Sequence, residues 1–474
     1  MKNQPTQNFS NLLESPKEFD VKIKVGVKPN IKEFKAHSII LSARSDYFKS
    51  VLSSRWARRE DGFIIFNKPN ISPPVFEILI RYIYTGAFSG KRVGLLDIFI
   101  AADEIGLFEI SQKVEKRLLE TESAWKFPKD FITICKYDTY TNLHEIALKF
   151  VRKKALGYLK QGKFLIALEF YEELLKNSQI SAEDQESASN WDLSHKCGLK
   201  RMNELTKVLC KNTTLTSLNL SHNELGSINY ITSFFKRSGE KVLADALCKN
   251  TTLTSLNLRE NKIGPEGGKA LANVLCKNST LTSLNLDSNW IGSEGGKAIA
   301  NALCKNTTLT FLDLGNNNLE SFGGKALSDV LCKNTTLTSL NLSYNNLGPF
   351  GGKALASVLC KNTTLTSLNL SYNNLGSFGG KALANALCKN STLKDLNLQY
   401  NNLGSEEGKA LADALCENST LTSLDLSWNE FGSEVEKALA VALCKNITLT
   451  SLDIRSNDIK FQIKSNNPNI KVLQ

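Results

Sequence analysis

The chain has few residues of the kinds that most often carry catalysis or bind metals. Its four histidines are His37, His144, His195 and His222. A catalytic histidine needs a nucleophile or an acid within reach, and a metal needs several ligands at characteristic spacings. These histidines form neither a triad nor a metal-ligand cluster with the acids or the thiols. The sequence therefore predicts a protein that is not an enzyme and that has no metal and no cofactor.

The cysteines are more numerous and strongly patterned. Nine of the 11 cysteines fall at one repeated position, late in a segment with helical spacing. Neighbouring helix axes lie about 10 Å apart, beyond the roughly 7 Å Cα limit for a disulfide. No pair has the spacing of zinc ligands, so we expect reduced thiols that contribute to packing. The nine are Cys210, Cys248, Cys276, Cys304, Cys332, Cys360, Cys388, Cys416 and Cys444.

Two further motifs imitate functional sites. A Gly-Gly-Lys-Ala segment, as at Gly264–Ala270, resembles a phosphate-binding loop, but it is one residue short and alanine replaces the required serine or threonine. The Asn212-Thr-Thr segment and its eight counterparts match the glycosylation sequon. We interpret them as turns between helix and strand, because the N-terminus has no apolar signal core.

All these motifs belong to one repeated unit. Its opening leucine recurs every 28 residues from Leu253 to Leu449, and the first interval, from Leu215, is 38 residues long. The Leu-x-x-Leu-x-Leu part alternates like a strand with one buried face. The following Ala-Leu-x-x-Ala/Val-Leu part has helical spacing. A fixed period of this length predicts a solenoid in which stacked units bury each other's apolar faces.

Because strands and helices differ in width, we expect the solenoid to be curved. Parallel strands lie about 4.8 Å apart and helices roughly 10 Å apart, so strands should line the inside and helices the outside. An inward asparagine after each strand can bond loop backbone groups that the sheet leaves unpaired. These asparagines are Asn223, Asn261, Asn289, Asn317, Asn345, Asn373, Asn401, Asn429 and Asn457. The unit resembles leucine-rich repeats of the ribonuclease-inhibitor type, which implies a protein-binding solenoid.

One column of the repeat changes character along the chain. The position before the inward asparagine reads His222, Glu260, Ser288 and Asn316 in the early repeats and is aromatic in the later ones. Large side chains with a polar tip are typical interface anchors, although duplication of one repeat would also copy its tyrosine. We predict that a protein partner binds the inner face here. The predicted contact residues are Tyr344, Tyr372, Tyr400 and Trp428, with Phe322, Phe350 and Phe378 in nearby loops.

The N-terminal part has a different pattern. An alternating strand at Phe19–Val25 leads to Phe34-Lys-Ala-His37, then Arg44-Ser-Asp-Tyr-Phe48 and Tyr82-Ile-Tyr-Thr-Gly86. Together these segments resemble a BTB/POZ domain over residues 18–120. The resemblance implies homodimerisation, in which Phe9, Leu12 and Leu13 could swap between subunits, and often cullin binding. His37 is then a structural residue at a strand–helix junction.

The resemblance is incomplete at one position. Cullin adaptors of this family commonly carry a hydrophobic-x-Glu motif before the next strand, and Trp56-Ala57-Arg58 aligns there. Arginine thus replaces the glutamate. Trp56 and Arg58 are the candidate cullin contacts, and the substitution weakens that interpretation.

The remaining segments complete the predicted architecture. Residues 1–17 are expected to be disordered, and residues 121–180 form a helical connector with a BACK-like start and one tetratricopeptide-like hairpin around Gly162, Phe164 and Ala167. Residues 181–189 are a polar linker and residues 190–474 the repeats with terminal caps. The fold class is therefore multidomain: an α+β BTB/POZ domain, the helical connector and a curved α/β leucine-rich repeat solenoid.

Composition and charge restrict the classes of partner and of function. The net charge of +11 is spread along the chain, which argues weakly for acidic partners and against nucleic acid. No apolar run reaches membrane-spanning length, so we expect a cytoplasmic or nuclear protein without a membrane partner. The leading hypothesis is a substrate adaptor of a cullin-RING ubiquitin ligase. The alternative is a dimeric scaffold or sensing protein without a ligase role, and inhibition of an enzyme would rest on the repeat type alone.

Overall fold

The computed structural model describes residues 9–53, 57–90, 93–137, 139–175, 182–226, 239–459, 463, 465 and 467–474. The chain divides into two units, Met1–Ala155 and Leu156–Gln474.

The first unit is built on a four-stranded mixed sheet. The alternation at residues 19–25 produces β1, which buries Val21, Ile23 and Val25 on one face. This strand pairs antiparallel with β2 and parallel with β4, giving the strand order β2-β1-β4-β3. The strands are β1 (Val21–Val25), β2 (Lys32–Ala36), β3 (Arg58–Glu60) and β4 (Phe63–Lys68).

Helices cover this sheet. The helix α4 carries Phe76, Leu79 and Ile83 on its buried face and ends at Gly86, whose φ of 69° is the left-handed conformation that glycine adopts readily. The helices are α1 (Ser10–Glu14), α2 (Ser38–Arg44), α3 (Asp46–Val51), α4 (Pro73–Thr85), α5 (Leu95–Glu104), α6 (Phe108–Glu120), α7 (Lys129–Ile134) and α8 (Thr141–Gln161).

The N-terminal segment differs from the expected disorder. Residues 10–14 form α1, and the Phe9 N–H donates to the Tyr84 carbonyl at 2.9 Å. Residues 1–8 lie outside the described part of the chain. A short apolar segment gains this order because it contacts α4, a tertiary effect that composition does not reveal.

The connector is helical, and the linker differs from the expectation. Residues 141–161 form one continuous helix, Gly162 turns the chain at φ 74°, and α9 (Phe164–Leu175) follows. In the second unit, Phe164 and Tyr171 of α9 pack on Trp191, with ring centroids 6.4 and 6.1 Å away. The segment interpreted as a linker contains a helix, α10 (Ala182–Ser189).

The second unit contains an 11-stranded parallel sheet with strands in sequence order. Equivalent leucines align across it, as Leu340, Leu368 and Leu396 do, so the predicted solenoid with helices outside the strands is confirmed. The strands are β5 (Asn190–Asp192), β6 (Ser217–Asn219), β7 (Ser255–Asn257), β8 (Ser283–Asn285), β9 (Phe311–Asp313), β10 (Ser339–Asn341), β11 (Ser367–Asn369), β12 (Asp395–Asn397), β13 (Ser423–Asp425), β14 (Ser451–Asp453) and β15 (Lys471–Leu473).

One helix follows each strand from β5 to β13. Helices that are adjacent in the sequence pack against each other. They are α11 (Gly198–Lys211), α12 (Gly239–Leu247), α13 (Gly264–Lys277), α14 (Gly292–Leu303), α15 (Glu320–Leu331), α16 (Gly348–Leu359), α17 (Gly376–Leu387), α18 (Ser405–Glu417) and α19 (Ser433–Lys445).

The inward asparagines form the predicted ladder. Asn373 is fully buried; its Oδ1 accepts from the N–H groups of Asn345 and Leu347 at 3.1 and 3.2 Å. Its Nδ2 donates to the carbonyls of Leu342, Leu370 and Ser371 at 2.8–3.1 Å. Each amide thus joins its own turn to the preceding repeat, and it satisfies backbone groups that neither sheet nor helix pairs.

The Gly-Gly-Lys-Ala segments have a packing role. Gly351 and Gly352 are buried in the first turns of α16, not in a loop. A Cβ on Gly352 would lie 2.9 Å from the Leu375 Cδ2 and 3.2 Å from the Gly379 Cα. The glycines therefore allow the helix starts of neighbouring repeats to approach closely, which accounts for the motif without a phosphate.

Candidate functional site

The aromatic side chains of the later repeats form one contiguous row, in the turns that follow strands β10 to β13. The rings of Tyr344 and Tyr372 stack with centroids 4.0 Å apart, and those of Tyr372 and Tyr400 at 4.6 Å, each pair within 12° of parallel. Trp428 ends the row, 6.4 Å from Tyr400 and tilted by 42°. Because the tyrosine faces are used in stacking, the row presents mainly ring edges and hydroxyl tips to a partner.

The backbone fixes the direction of these side chains. Tyr344, Tyr372, Tyr400 and Trp428 have φ between 52° and 55°, in the left-handed region. Asn316, which holds the same position one repeat before the row, has φ 49°. Left-handed residues other than glycine cost roughly 1–2 kcal/mol, and the buried asparagine next to each one holds the turn in this conformation. The row is therefore rigid, and the same backbone accepts asparagine in place of an aromatic residue.

The pKa of one hydroxyl in the row, that of Tyr344, is raised. Burial, together with a hydrogen bond to Tyr372, raises the pKa of Tyr344 to about 12. The hydroxyl thus stays protonated at neutral pH, and its oxygen can accept a hydrogen bond from a partner's donor.

The three predicted phenylalanines are exposed in the first turns of the helices. Phe350 and Phe378 contact each other edge to face, with centroids 5.9 Å apart, and the Lys353 Nζ lies 4.5 Å from the Phe378 ring. Phe322 is exposed at the equivalent position one repeat earlier. Each phenylalanine lies six residues after the row position of its own repeat, and two repeats carry both a tyrosine of the row and a phenylalanine.

Sequence reasoning missed Trp290 and a second column of amides. Trp290 is 59% exposed and lies one residue after the buried Asn289. In the next four repeats this column reads Asn318, Asn346, Asn374 and Asn402, whose side-chain amides bond in series at 3.3–3.5 Å. A tryptophan in a column of asparagines was the available signal. We call the row, the three phenylalanines and Trp290 the aromatic surface.

The histidines contact neighbouring protein groups and do not form a reactive site with other described residues. His37 lies between β2 and α2, where Nδ1 meets the Tyr84 hydroxyl at 2.9 Å and Nε2 meets the Lys17 carbonyl at 2.9 Å. His195 and His222 stack on each other at 4.4 Å, in the column that continues as the aromatic row. Among the described residues no group of three histidines, cysteines or acids could hold a metal ion.

The cysteine column differs from the expected packing role. All described cysteines are free, but of the nine repeat cysteines seven are exposed, and Cys248 and Cys416 are half-buried. They lie where a helix ends, so the side chain points away from the core. Burial and the nearby Glu417 raise the pKa of the Cys388 thiol, which disfavours a reactive thiolate there.

Of the two candidate cullin contacts, only Arg58 belongs to the described part of the chain. Trp56 lies outside the described residues. Arg58 begins β3, its side chain is 73% exposed, and it pairs with Glu60 at 2.7 Å. The insertion in the first interval, with Phe234 and Phe235, also lies outside the described residues.

Comparison with family models divides the chain in the same way. The BTB/POZ domain model matches residues 9–122. The leucine-rich repeat model matches nine segments: residues 211–228, 249–272, 277–300, 305–328, 333–356, 361–384, 389–412, 417–434 and 445–460. No helix in the described ranges has the length and apolarity to cross a membrane.

Curated relatives match only the N-terminal part. Human Kelch repeat and BTB domain-containing protein 4 is 28% identical over 90 residues, which are 19% of this chain and 16% of that protein. Zebrafish Kelch-like protein 40a is 32% identical over 93 residues, 20% of this chain and 14% of that protein. The chain therefore spans about a sixth of the length of these relatives.

Two solved structures cover separate parts of the chain. The BTB domain of zebrafish PATZ1 covers 24% of this chain and 86% of its own, at 21% identity and a TM-score of 0.20. Leiomodin-1 Actin-Binding Site 2 covers 32% and 88%, at 23% identity and a TM-score of 0.27.

Proposed function

We propose, from the premise that this chain combines a BTB/POZ domain with leucine-rich repeats, that it binds a protein partner through the aromatic surface and presents that partner to a cullin-RING ubiquitin ligase. Both domain types are interaction modules and not catalytic ones. The BTB domain would recruit the cullin and self-associate, and the repeats would hold the substrate.

The aromatic surface is the observation that carries the binding part of this proposal. Six consecutive repeats expose Trp290, Phe322, Tyr344, Phe350, Phe378, Tyr400 and Trp428. Contiguous exposed aromatic residues are uncommon on a protein that binds nothing, and tyrosine and tryptophan are enriched among residues that dominate binding energy. The first four repeats have His222, Glu260, Ser288 and Asn316 in the row position, so the stacked row itself belongs to the later repeats.

Changing Tyr372 and Tyr400 to asparagine should weaken partner binding about 30-fold, because a truncated aromatic anchor costs at least about 2 kcal/mol. Asparagine suits the left-handed backbone, as Asn316 demonstrates. The loss of ring stacking should therefore lower the free energy of unfolding by only about 1–2 kcal/mol. Partners captured by the wild-type chain would be purified and titrated against both proteins by biolayer interferometry.

The matched control is Ser288→Asn, the same kind of replacement in the same column but two repeats before the row. It should change the dissociation constant by less than about two-fold. If the double tyrosine variant bound the partner as tightly as wild type, the row would be only a product of repeat duplication.

The alternative function, a dimeric scaffold without a ligase role, is favoured by Arg58. This residue takes the place of the glutamate that cullin adaptors of the family commonly carry, and its exposed guanidinium is already paired with Glu60. The exposed Ile39 on α2 (78%) and Leu12 on α1 are consistent with self-association, which both functions include.

A purified cullin should bind the full chain, and Arg58→Glu should tighten that binding about ten-fold by restoring the acidic contact. Arg59→Glu, on the neighbouring position of β3, makes the same charge change and should not tighten it. If only Arg58→Glu bound the cullin, or if neither protein did, the scaffold function would replace the adaptor function. Size-exclusion chromatography with the cullin would distinguish these results.

A further inference from the structure

A row of lysines follows the cysteine column at the other ends of the helices, away from the aromatic surface. Each repeat places one lysine at or just after the end of its helix, directly after the cysteine and before a buried asparagine. Glu417 takes this position in a single repeat. We call the row the lysine edge; it consists of Lys211, Lys249, Lys277, Lys305, Lys333, Lys361, Lys389 and Lys445.

A second ladder of asparagines holds the lysine edge in register. Asn362, which follows Lys361, is buried; its Nδ2 donates to the Leu331 carbonyl of the preceding repeat at 2.8 Å. Its Oδ1 accepts from the N–H groups of Thr364 and Leu365 at 3.1 and 2.7 Å. Equivalent bonds recur along the array, as at Asn334 and Asn390. The backbone of every lysine is therefore fixed between a helix end and a buried amide.

The lysines of this edge have no partners among the described residues. All eight are exposed, and none has an ion pair or a side-chain hydrogen bond within the part of the chain that the structure describes. Some lysines in the first turns behave differently: Lys269 pairs with Glu266 at 2.8 Å and Lys381 with Glu407 at 3.7 Å. Glutamates therefore neutralise part of the positive charge beside the aromatic surface, whereas the described residues include no such pair at the opposite ends of the helices.

Few carboxylates reduce the charge of the edge. The nearest acids on the same helices are Asp245, Asp329 and Asp413, each one turn before the lysine position. The corresponding residues before Lys277, Lys305, Lys361 and Lys389 are asparagine or serine. The central repeats therefore present a nearly continuous positive row.

The row is one lysine wide, and its spacing suits an extended chain. Exposed neighbours are the cysteines on one side and threonine, serine or Ile447 on the other. The lysine spacing lies between that of the strands, about 4.8 Å, and that of the helices, roughly 10 Å. Side chains on one face of an extended polypeptide recur every two residues, or about 6.6 Å, which falls inside this interval.

We propose that the lysine edge binds an extended acidic polypeptide segment whose alternate side chains are carboxylates. Single-stranded nucleic acid fits less well, because its binding sites add aromatic side chains on which bases stack, and the edge has none among its described neighbours. Arginine, which pairs bidentately with phosphate, is also absent from the row. The surface is distinct from the aromatic surface, so a partner could occupy either one alone.

The test uses the full chain and a fluorescein-labelled peptide of alternating glutamate and serine. Changing Lys277, Lys305, Lys333, Lys361 and Lys389 to glutamine should weaken peptide binding at least about ten-fold, since several exposed charge pairs are lost together. Fluorescence anisotropy should also report weaker binding as salt is raised. The matched control changes Lys297, Lys325, Lys353, Lys381 and Lys409 to glutamine, which removes the same charge from the same region of the array. It should alter binding by less than about two-fold.

Three results would overturn the proposal. The first is an equal loss in both five-lysine variants, which would indicate an effect of net charge alone. The second is no saturable binding, or equal binding of a glutamine–serine peptide by the wild-type chain. The third is tighter binding of a uridine oligonucleotide or of phosphatidylserine vesicles than of the acidic peptide. Circular dichroism of both variants would verify that each remains folded.

Discussion

Replacing Asn373 with alanine is expected to lower the free energy of unfolding by roughly 3–5 kcal/mol. The buried amide makes five hydrogen bonds to backbone groups, two through Oδ1 and three through Nδ2. Alanine leaves all five groups without this partner in a turn that water does not reach, and a buried polar group without a partner costs about 1–3 kcal/mol. Urea denaturation monitored by circular dichroism would measure the loss.

The neighbouring residue provides the control. Asn374 is exposed and has φ 52°, so Asn374→Gly removes a side chain that contributes only to the outer amide series while keeping a residue that tolerates this conformation. It should cost less than about 1 kcal/mol. Equal destabilisation by the two variants would mean that the ladder does not stabilise the repeats in the way its geometry indicates.

Replacing Leu368 with alanine is expected to cost about 2–5 kcal/mol through the cavity that it leaves. Leu368 is buried in β11, and its backbone pairs in register with Leu340 and Leu396 on the two neighbouring strands. In a solenoid each repeat is stabilised mainly by its neighbours, so a cavity at a central repeat weakens both interfaces. The midpoint of urea denaturation should fall accordingly.

Ser367→Ala is the matched control on the same strand. Ser367 points to the opposite face of the strand and is only partly buried, so its change should stay within about 0.5 kcal/mol. Neither Leu368→Ala nor Ser367→Ala touches the aromatic surface or the lysine edge. A normal unfolding midpoint for Leu368→Ala would contradict the register of the sheet.

The sequence by itself was sufficient to determine the repeat architecture. A 28-residue period with strand-like and helix-like halves shows the same local preferences many times. An ambiguous pattern in one repeat can therefore be assigned from the equivalent positions of the others. The inward role of Asn373 and its equivalents followed from the same reasoning, because a polar residue that interrupts a leucine pattern must satisfy backbone groups.

Tertiary contacts between repeats and between helices determined the features that the sequence did not predict. The helix α10 lies where the sequence pattern indicated a polar linker, because tertiary packing outweighs weak local propensity. The cysteines were expected inside and lie mostly outside, since a position at a helix end can face either way and only the packing of the next helix selects one. Trp290 was missed because its column was not aromatic in any other repeat.

For the aromatic surface and the lysine edge, the sequence likewise determined which residues share a column, and the tertiary structure determined what surrounds them. Sequence spacing placed the tyrosines in one column, but the stacking of their rings, which leaves mainly edges and hydroxyls exposed, is a property of the turns brought together by the sheet. The lysine after each cysteine is equally visible in the sequence. Only the tertiary structure reveals pairs such as Lys381 with Glu407, because these two residues belong to different repeats and their distance cannot be read from the sequence.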